Sequence, residues 1–176
     1  SDTRSIKRGE LFFALQGSNS SGENFLKQAL KKGACAVITT KKKSNIFNSI
    51  RVKNVRNSLG EVCAKFFHKK PKNIIAVTGT NGKSSVADFF HQILTLNKTN
   101  VATIGTLGVK KKFFKKGVLT SPDAISLHKE LYELKKKKID NVLIEASSHG
   151  LEQGRLDGIN FKAGIFTNFS QDHLDY

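Results

Sequence analysis

Short apolar runs alternate with amphipathic stretches along most of this chain. Leu11-Phe12-Phe13-Ala14-Leu15 predicts a strand, and the Ser/Asn-rich segment from Gly17 to Gly22 predicts a polar loop after it. Phe25, Leu26, Ala29 and Leu30 recur at helical spacing and predict a helix ending near Gly33, followed by a strand over 34–39. Leu59, Val62, Cys63, Phe66 and Phe67 lie on one face of a second helix over 56–68, stopped by His68-Lys69-Lys70-Pro71. These elements suffice for a small α/β domain over 1–71, short but within the usual range.

From Asn73 onward strand and helix patterns alternate, which predicts a mainly parallel sheet in a second domain over 72–176. Ile74-Ile75-Ala76-Val77 reads as a strand. Val86, Phe89, Phe90, Ile93 and Leu94 mark the apolar face of the helix after it. A strand follows over 100–104, then a Gly- and Lys-rich stretch over 105–117 that suggests a hairpin. Ser121-Pro122-Asp123 reads as N-cap, N1 and N2 of a helix reaching Lys138. Val142-Leu143-Ile144 is a buried strand, and 163–167 is another.

Composition narrows the classes. No segment approaches the ~20 apolar residues that span a membrane, and no apolar signal-peptide core follows the polar start Ser1-Asp2-Thr3-Arg4. The chain contains no Met and is read as a fragment of a cytoplasmic protein. Cys35 and Cys63, without metal spacing, are expected as reduced core residues. The net charge of +16 raises nucleic-acid binding. Only five of the 30 basic residues are Arg, however, and the Lys runs near 41–43, 110–112 and 135–138 suit a solvated surface that steers anions.

Chemistry gathers at three places, each just beyond a predicted strand. Thr78-Gly79-Thr80-Asn81-Gly82-Lys83-Ser84-Ser85 joins strand to helix as a glycine-rich turn, although Val77 stands where the general P-loop pattern has Gly. Such a turn aims backbone N–H groups and the positive end of a helix at an anion. Lys83 would reach the outer phosphates of ATP and Ser84 a Mg²⁺ ion. Glu145 closes a buried strand, where a carboxylate can hold Mg²⁺ or its water. Ser147, His149, Gln153 and Arg155 follow in a dense polar loop. The third group is Thr167 to Asp175, in which His173 could be a metal ligand or proton carrier.

Taken together, Thr78-Gly79-Thr80-Asn81-Gly82-Lys83-Ser84, Glu145-Ala146-Ser147-Ser148-His149-Gly150-Leu151 and Thr167-Asn168-Phe169-Ser170-Gln171-Asp172-His173-Leu174-Asp175-Tyr176 resemble the Mur ligases. Asp2-Thr3-Arg4 with Gly9-Glu10-Leu11-Phe12-Phe13-Ala14 and Gly17 resembles the opening of the family's UDP-binding domain. The resemblance covers the whole chain, and the family's P-loop has this shortened form. It implies an α/β architecture: a small N-terminal UDP-binding domain, then part of a P-loop ATPase domain.

It further implies an ATP-dependent amide ligase of peptidoglycan synthesis, in the branch that adds the third stem-peptide residue to UDP-N-acetylmuramoyl-L-alanyl-D-glutamate. Gly79, Thr80, Asn81, Gly82, Lys83, Ser84 and Ser85 would bind ATP, with Ser84 and Glu145 on one Mg²⁺ and His173 serving a second. Ser1, Thr3, Ser18, Asn19 and Ser20 would hold the UDP end of the substrate, and Thr120, Ser121, Ser147, Gln153 and Arg155 its peptide end. The implied catalytic groups are Lys83, Glu145 and His173.

Partners would be the UDP-substrate, ATP and an amino acid, either meso-diaminopimelate or L-lysine. Neither nucleic acid nor membrane insertion is implied, and a monomer is expected. The family's carbamylated lysine and C-terminal domain are not among these residues, so the chain alone is expected to lack ligase activity. The rivals are another ligase of the superfamily, such as folylpolyglutamate synthetase or a sister Mur ligase, and a Lys-rich nucleic-acid-binding module.

Overall fold

The computed structural model describes residues 3–17, 20–41, 46–106, 108–110 and 120–171. The chain divides into two compact units, Ser1–Leu59 and Gly60–Tyr176. In the first, β1 (Leu11–Phe13), β2 (Ala36–Thr39) and β3 (Ser49–Arg51) form a parallel sheet in that order. A 3-10 turn over Gly22–Phe25 leads into α1 (Leu26–Lys31). Phe12, Leu26, Ala29 and Val37 close the core of this unit. The chain leaves α1 through Gly33 in the left-handed region, φ 99°.

β3 was not anticipated. It is three residues long, and its one apolar residue, Ile50, is half exposed. Such an edge strand carries almost no alternation for a sequence pattern to register. Cys35 corrects an expectation: it precedes β2 and is exposed, whereas Cys63 is buried. A short apolar run does not say which residue of it lies outside the pleat. Burial, with Asp123 adding and Lys70 opposing, pushes the Cys63 thiol up to about 11. Iodoacetamide at pH 8 is therefore expected to alkylate Cys35 at least ~100-fold faster than Cys63, because the thiolate is the nucleophile and Cys63 is also buried. Peptide mapping over time checks this, and equal rates would contradict it.

α2 (Val55–Phe66) runs across the division between the two units. The second unit holds a five-stranded sheet in the order β6-β5-β7-β4-β8. Its strands are β4 (Asn73–Thr78), β5 (Val101–Gly105), β6 (Gly108–Lys110), β7 (Asn141–Glu145) and β8 (Ala163–Phe166). All pairings are parallel except β5 with β6, a hairpin closing at Gly105 and Gly108. Residues 107 and 111–117 of the hairpin expected over 105–117 lie outside the described residues.

α4 (Ala124–Lys136) covers one face of this sheet, burying Leu127, Leu131 and Leu134 against Ile74, Ala102, Ile104, Val142 and Ile144. α3 (Lys83–Leu96) covers the other with Val86, Ala87 and Phe90 against Val77 and Leu143. The apolar face expected for α3 is only partly buried. Phe89 and Ile93 are 61% and 58% exposed, because the helix meets the sheet along the neighbouring stripe.

The cap of α4 also differs from the sequence reading. Asp123 is the N-cap and accepts from the Ser126 N–H at 3.1 Å. The Ser121 hydroxyl is instead buried and donates to the backbone oxygen of Glu145 at 2.9 Å. A carboxylate two residues closer to the helix suits the positive N-terminal end better.

Candidate nucleotide and substrate site

β4 delivers the glycine-rich turn to the carboxyl edge of the second sheet, and α3 begins at Lys83. The N-cap, Gly82, has φ 86° and no side chain caps the helix. The first-turn N–H groups therefore face the turn, as an anion site requires. Val77, at the missing glycine position, is fully buried within β4. The turn starts only after Thr78, so no glycine is needed there.

Lys83 Nζ donates to the backbone oxygens of Gly79 and Thr80 at 2.5 and 3.0 Å, which folds its ammonium over the turn. The segment following β8 braces the same turn. Thr80 N donates to the Asn168 backbone oxygen at 3.1 Å, Asn81 N to Asn168 Oδ1 at 3.0 Å, and Thr167 Oγ1 to the Asn81 oxygen at 2.7 Å. A Cβ on Gly79 would collide with the Thr167 hydroxyl, so close approach as well as φ 134° demands glycine here. A cleft of about 280 Å³ opens beside this turn, lined by Gly79, Lys83, Ser148, Leu151 and Phe169 among others.

Glu145, the last residue of β7, is 3% exposed. Its Oε2 accepts from Ser84 Oγ at 2.9 Å and from Thr106 Oγ1 at 3.0 Å. With its one proton committed to the carboxylate, Thr106 Oγ1 accepts from the Thr120 hydroxyl at 3.0 Å. Gly105 makes room for this carboxylate, since a Cβ there would overlap its Oε1 and Cδ. A carboxylate with serine and threonine hydroxyls is a set of hard oxygen donors, which suits a magnesium ion. The adjoining helix N-terminus and ammonium suit the phosphates of a nucleotide.

Next to Glu145, Ser147 caps α5 (Ser148–Glu152) by accepting from Gly150 N at 3.1 Å. Its own N–H donates to Ser121 Oγ at 3.0 Å. Arg155 reaches the Ser121 backbone oxygen through Nη1 at 2.8 Å, and bonds Gln153 Oε1 through Nε and Nη2 at 3.1 and 2.7 Å. The fold thus gathers Thr120, Ser121, Ser147, Gln153 and Arg155 around one corner of the sheet edge.

Residues 77–176 match the model of the Mur ligase middle domain, and residues 1–70 that of the Mur ligase family, catalytic domain. The chain belongs to the Mur ligase family. It is 43% identical over 99% of its length to the UDP-N-acetylmuramoyl-L-alanyl-D-glutamate--2,6-diaminopimelate ligase of Rickettsia conorii, covering 38% of that protein. The enzyme of the same name from Bradyrhizobium diazoefficiens is 44% identical over 99% of the chain, which covers 36% of it.

Among solved structures, a UDP-N-acetylmuramoyl-L-alanyl-D-glutamate--2,6-diaminopimelate ligase superposes with a TM-score of 0.83 at 33% identity. That match covers 98% of this chain and 36% of the other. MurF ligase from Thermotoga maritima in complex with ADP, at TM-score 0.60 and 18% identity, shares the fold; the match covers 95% of this chain and 36% of that one. The Mur ligase chain thus spans little more than a third of the length of the relatives it matches.

In the first unit, the Thr3 side chain is buried and its Oγ1 donates to Gln28 Oε1 at 3.1 Å, which ties it to α1. Ser20 is exposed, and its backbone oxygen accepts from Gly17 N at 3.0 Å. Ser1, Ser18, Asn19 and His173 lie outside the described residues. A cleft of about 360 Å³ sits beyond the carboxyl ends of β1, β2 and β3, lined by Gln16, Thr40, Lys41, Lys53 and Arg56 among others.

Sequence reasoning missed that cleft, and it missed Thr106 as a group holding the Glu145 carboxylate. Thr106 stands one residue beyond β5, so a rule naming every polar residue past a parallel strand would have found it. Asn168, two residues beyond β8, belonged to the polar group singled out over 167–175, but its bracing of the glycine-rich turn depends on β8 lying beside β4.

Proposed function

We propose that this Mur ligase chain is the UDP-substrate-binding and nucleotide-binding part of a ligase of peptidoglycan precursor synthesis. The ligase joins an amino acid to UDP-N-acetylmuramoyl-L-alanyl-D-glutamate at the expense of ATP. The observation that carries the reading is the meeting of Lys83, Ser84, Thr106 and Glu145 at one sheet edge, beside the Ser121–Ser147–Arg155 corner. The names of relatives more than 40% identical favour 2,6-diaminopimelate as the incoming amino acid over lysine.

The reaction needs activation, because a carboxylate is a poor electrophile. The γ-phosphoryl group of ATP passes to the substrate carboxylate, giving an acyl phosphate and ADP. The amine of the incoming amino acid then displaces phosphate and forms the amide. The glycine-rich turn orients the nucleotide through its N–H groups, and Lys83 offsets charge developing on the phosphoryl oxygens. Ser84 and Glu145 would hold a magnesium ion, which when bound polarises those oxygens. Arg155 and the hydroxyls of Thr120, Ser121 and Ser147 position the acidic peptide end of the substrate. No covalent protein nucleophile is required.

We assign the UDP end to Ser1, Thr3, Ser18, Asn19 and Ser20, and a second magnesium to His173. The domains are taken as 1–71 and 72–176, in a monomeric, cytoplasmic enzyme. The complete protein, given ATP, Mg²⁺ and UDP-N-acetylmuramoyl-L-alanyl-D-glutamate, is expected to release phosphate only when diaminopimelate is added. Release with lysine alone would change the amino acid assigned. Release with a different carboxylate substrate would overturn the reading.

A further inference from the structure

The turn over 154–158, which carries Arg155, is pinned from behind by two side chains outside the substrate corner. His128 of α4 is fully buried, and its Nε2 lies 2.9 Å from the backbone oxygen of Asp157. Lys70 Nζ donates to the next backbone oxygen, that of Gly158, at 3.0 Å. Two consecutive carbonyls are thus held by donors from two different segments. At its other end the turn is fixed by Arg155 N donating to the Gly150 oxygen at 2.9 Å, and Leu156 plugs the α4 core between these anchors.

We infer that His128 and Lys70 are positioning residues: by pinning the Asp157 and Gly158 carbonyls they fix the turn that presents Arg155 to the substrate. The inference rests on the reading of Arg155 as a substrate-binding group. Among the described residues, the Arg155 guanidinium bonds Gln153 and Ser121 within the corner. Its aim therefore depends on the backbone on either side of it.

The chemistry of His128 fits a fixed donor. Burial, reinforced by the neighbouring Lys70 charge, holds the imidazole below its ordinary range despite its bond to the Asp157 oxygen. The neutral ring then places its single proton on Nε2, facing that oxygen. Nδ1 is buried without a hydrogen-bond partner among the described residues. Lys70 is itself lowered by burial, yet it remains a donor in either protonation state.

The test uses the full-length ligase and steady-state KM for UDP-N-acetylmuramoyl-L-alanyl-D-glutamate and for ATP. Arg155→Ala serves as the reference. His128→Leu and Lys70→Met are each expected to raise the KM for the UDP-substrate about five- to tenfold, the scale of one lost hydrogen bond. The KM for ATP should stay within twofold. His128→Gln, which keeps an N–H donor at the Nε2 position, should restore the UDP-substrate KM to within about twofold.

If Arg155→Ala raises that KM while His128→Leu and Lys70→Met leave it unchanged, the inference is overturned and the reading of Arg155 stands. If Arg155→Ala has no effect, both fall. Should His128→Leu fail to fold, Lys70→Met and His128→Gln decide the question. Equal losses for both substrates, unrescued by Gln, would mean a structural role only and would also overturn it.

Discussion

Lys83→Ala in the complete protein is expected to lower kcat for ATP-dependent phosphate release by about 10²–10³, or roughly 3–4 kcal/mol of transition-state stabilisation. The ammonium lies over the turn, bonded to the Gly79 and Thr80 oxygens, close to where phosphates would meet the N–H groups of α3. Charge that develops on the transferring phosphoryl oxygens would lose its one fixed cation among the described residues of this turn. The fold should survive the change, because Asn168, Thr167 and Ser170 hold the turn independently of Lys83. Stopped-flow phosphate release together with a thermal melt checks this. An unchanged kcat with an unchanged melting temperature would remove the turn from the chemistry.

Gly105→Ala is expected to act through a residue it does not replace. The added methyl would occupy the space of the Glu145 carboxylate, which has to leave its contacts with Ser84 and Thr106. Overpacking of this kind costs about 1–3 kcal/mol of stability. The magnesium concentration for half-maximal activity should rise at least about tenfold, the scale of a disturbed metal shell. Combining it with Glu145→Ala should recover much of the lost stability, since truncation of the carboxylate removes the clash. That non-additivity is read from a double-mutant cycle of urea midpoints. A stability loss with wild-type magnesium dependence would place the metal elsewhere.

Much of the second unit was legible from local pattern. β4, β7 and β8 read as strands because short apolar runs, over 74–77, 142–144 and 163–166, are bounded by polar positions. The glycine-rich turn was legible because Gly-Lys-Ser sits where a strand ends and a helix begins. The first unit was read less completely: β3, with a single half-exposed apolar residue, left no periodic trace. Cys35 was misplaced for a related reason, since an apolar run shows that a strand is near without showing where its pleat begins.

By itself the sequence determined the kinds of element, their order and the residue types available at each strand end, because helical and strand periodicities are local properties. Only the tertiary structure decided which strand ends are neighbours. Ser84 and Glu145 are 61 residues apart, and they meet because β7 lies beside β4. Thr106 joins them because β5 lies on the far side of β7, and Gly105 because its missing side chain admits the carboxylate. Strand order depends on how whole faces pack, on α4 burying one side of the sheet and α3 the other. No window of a dozen residues contains that information.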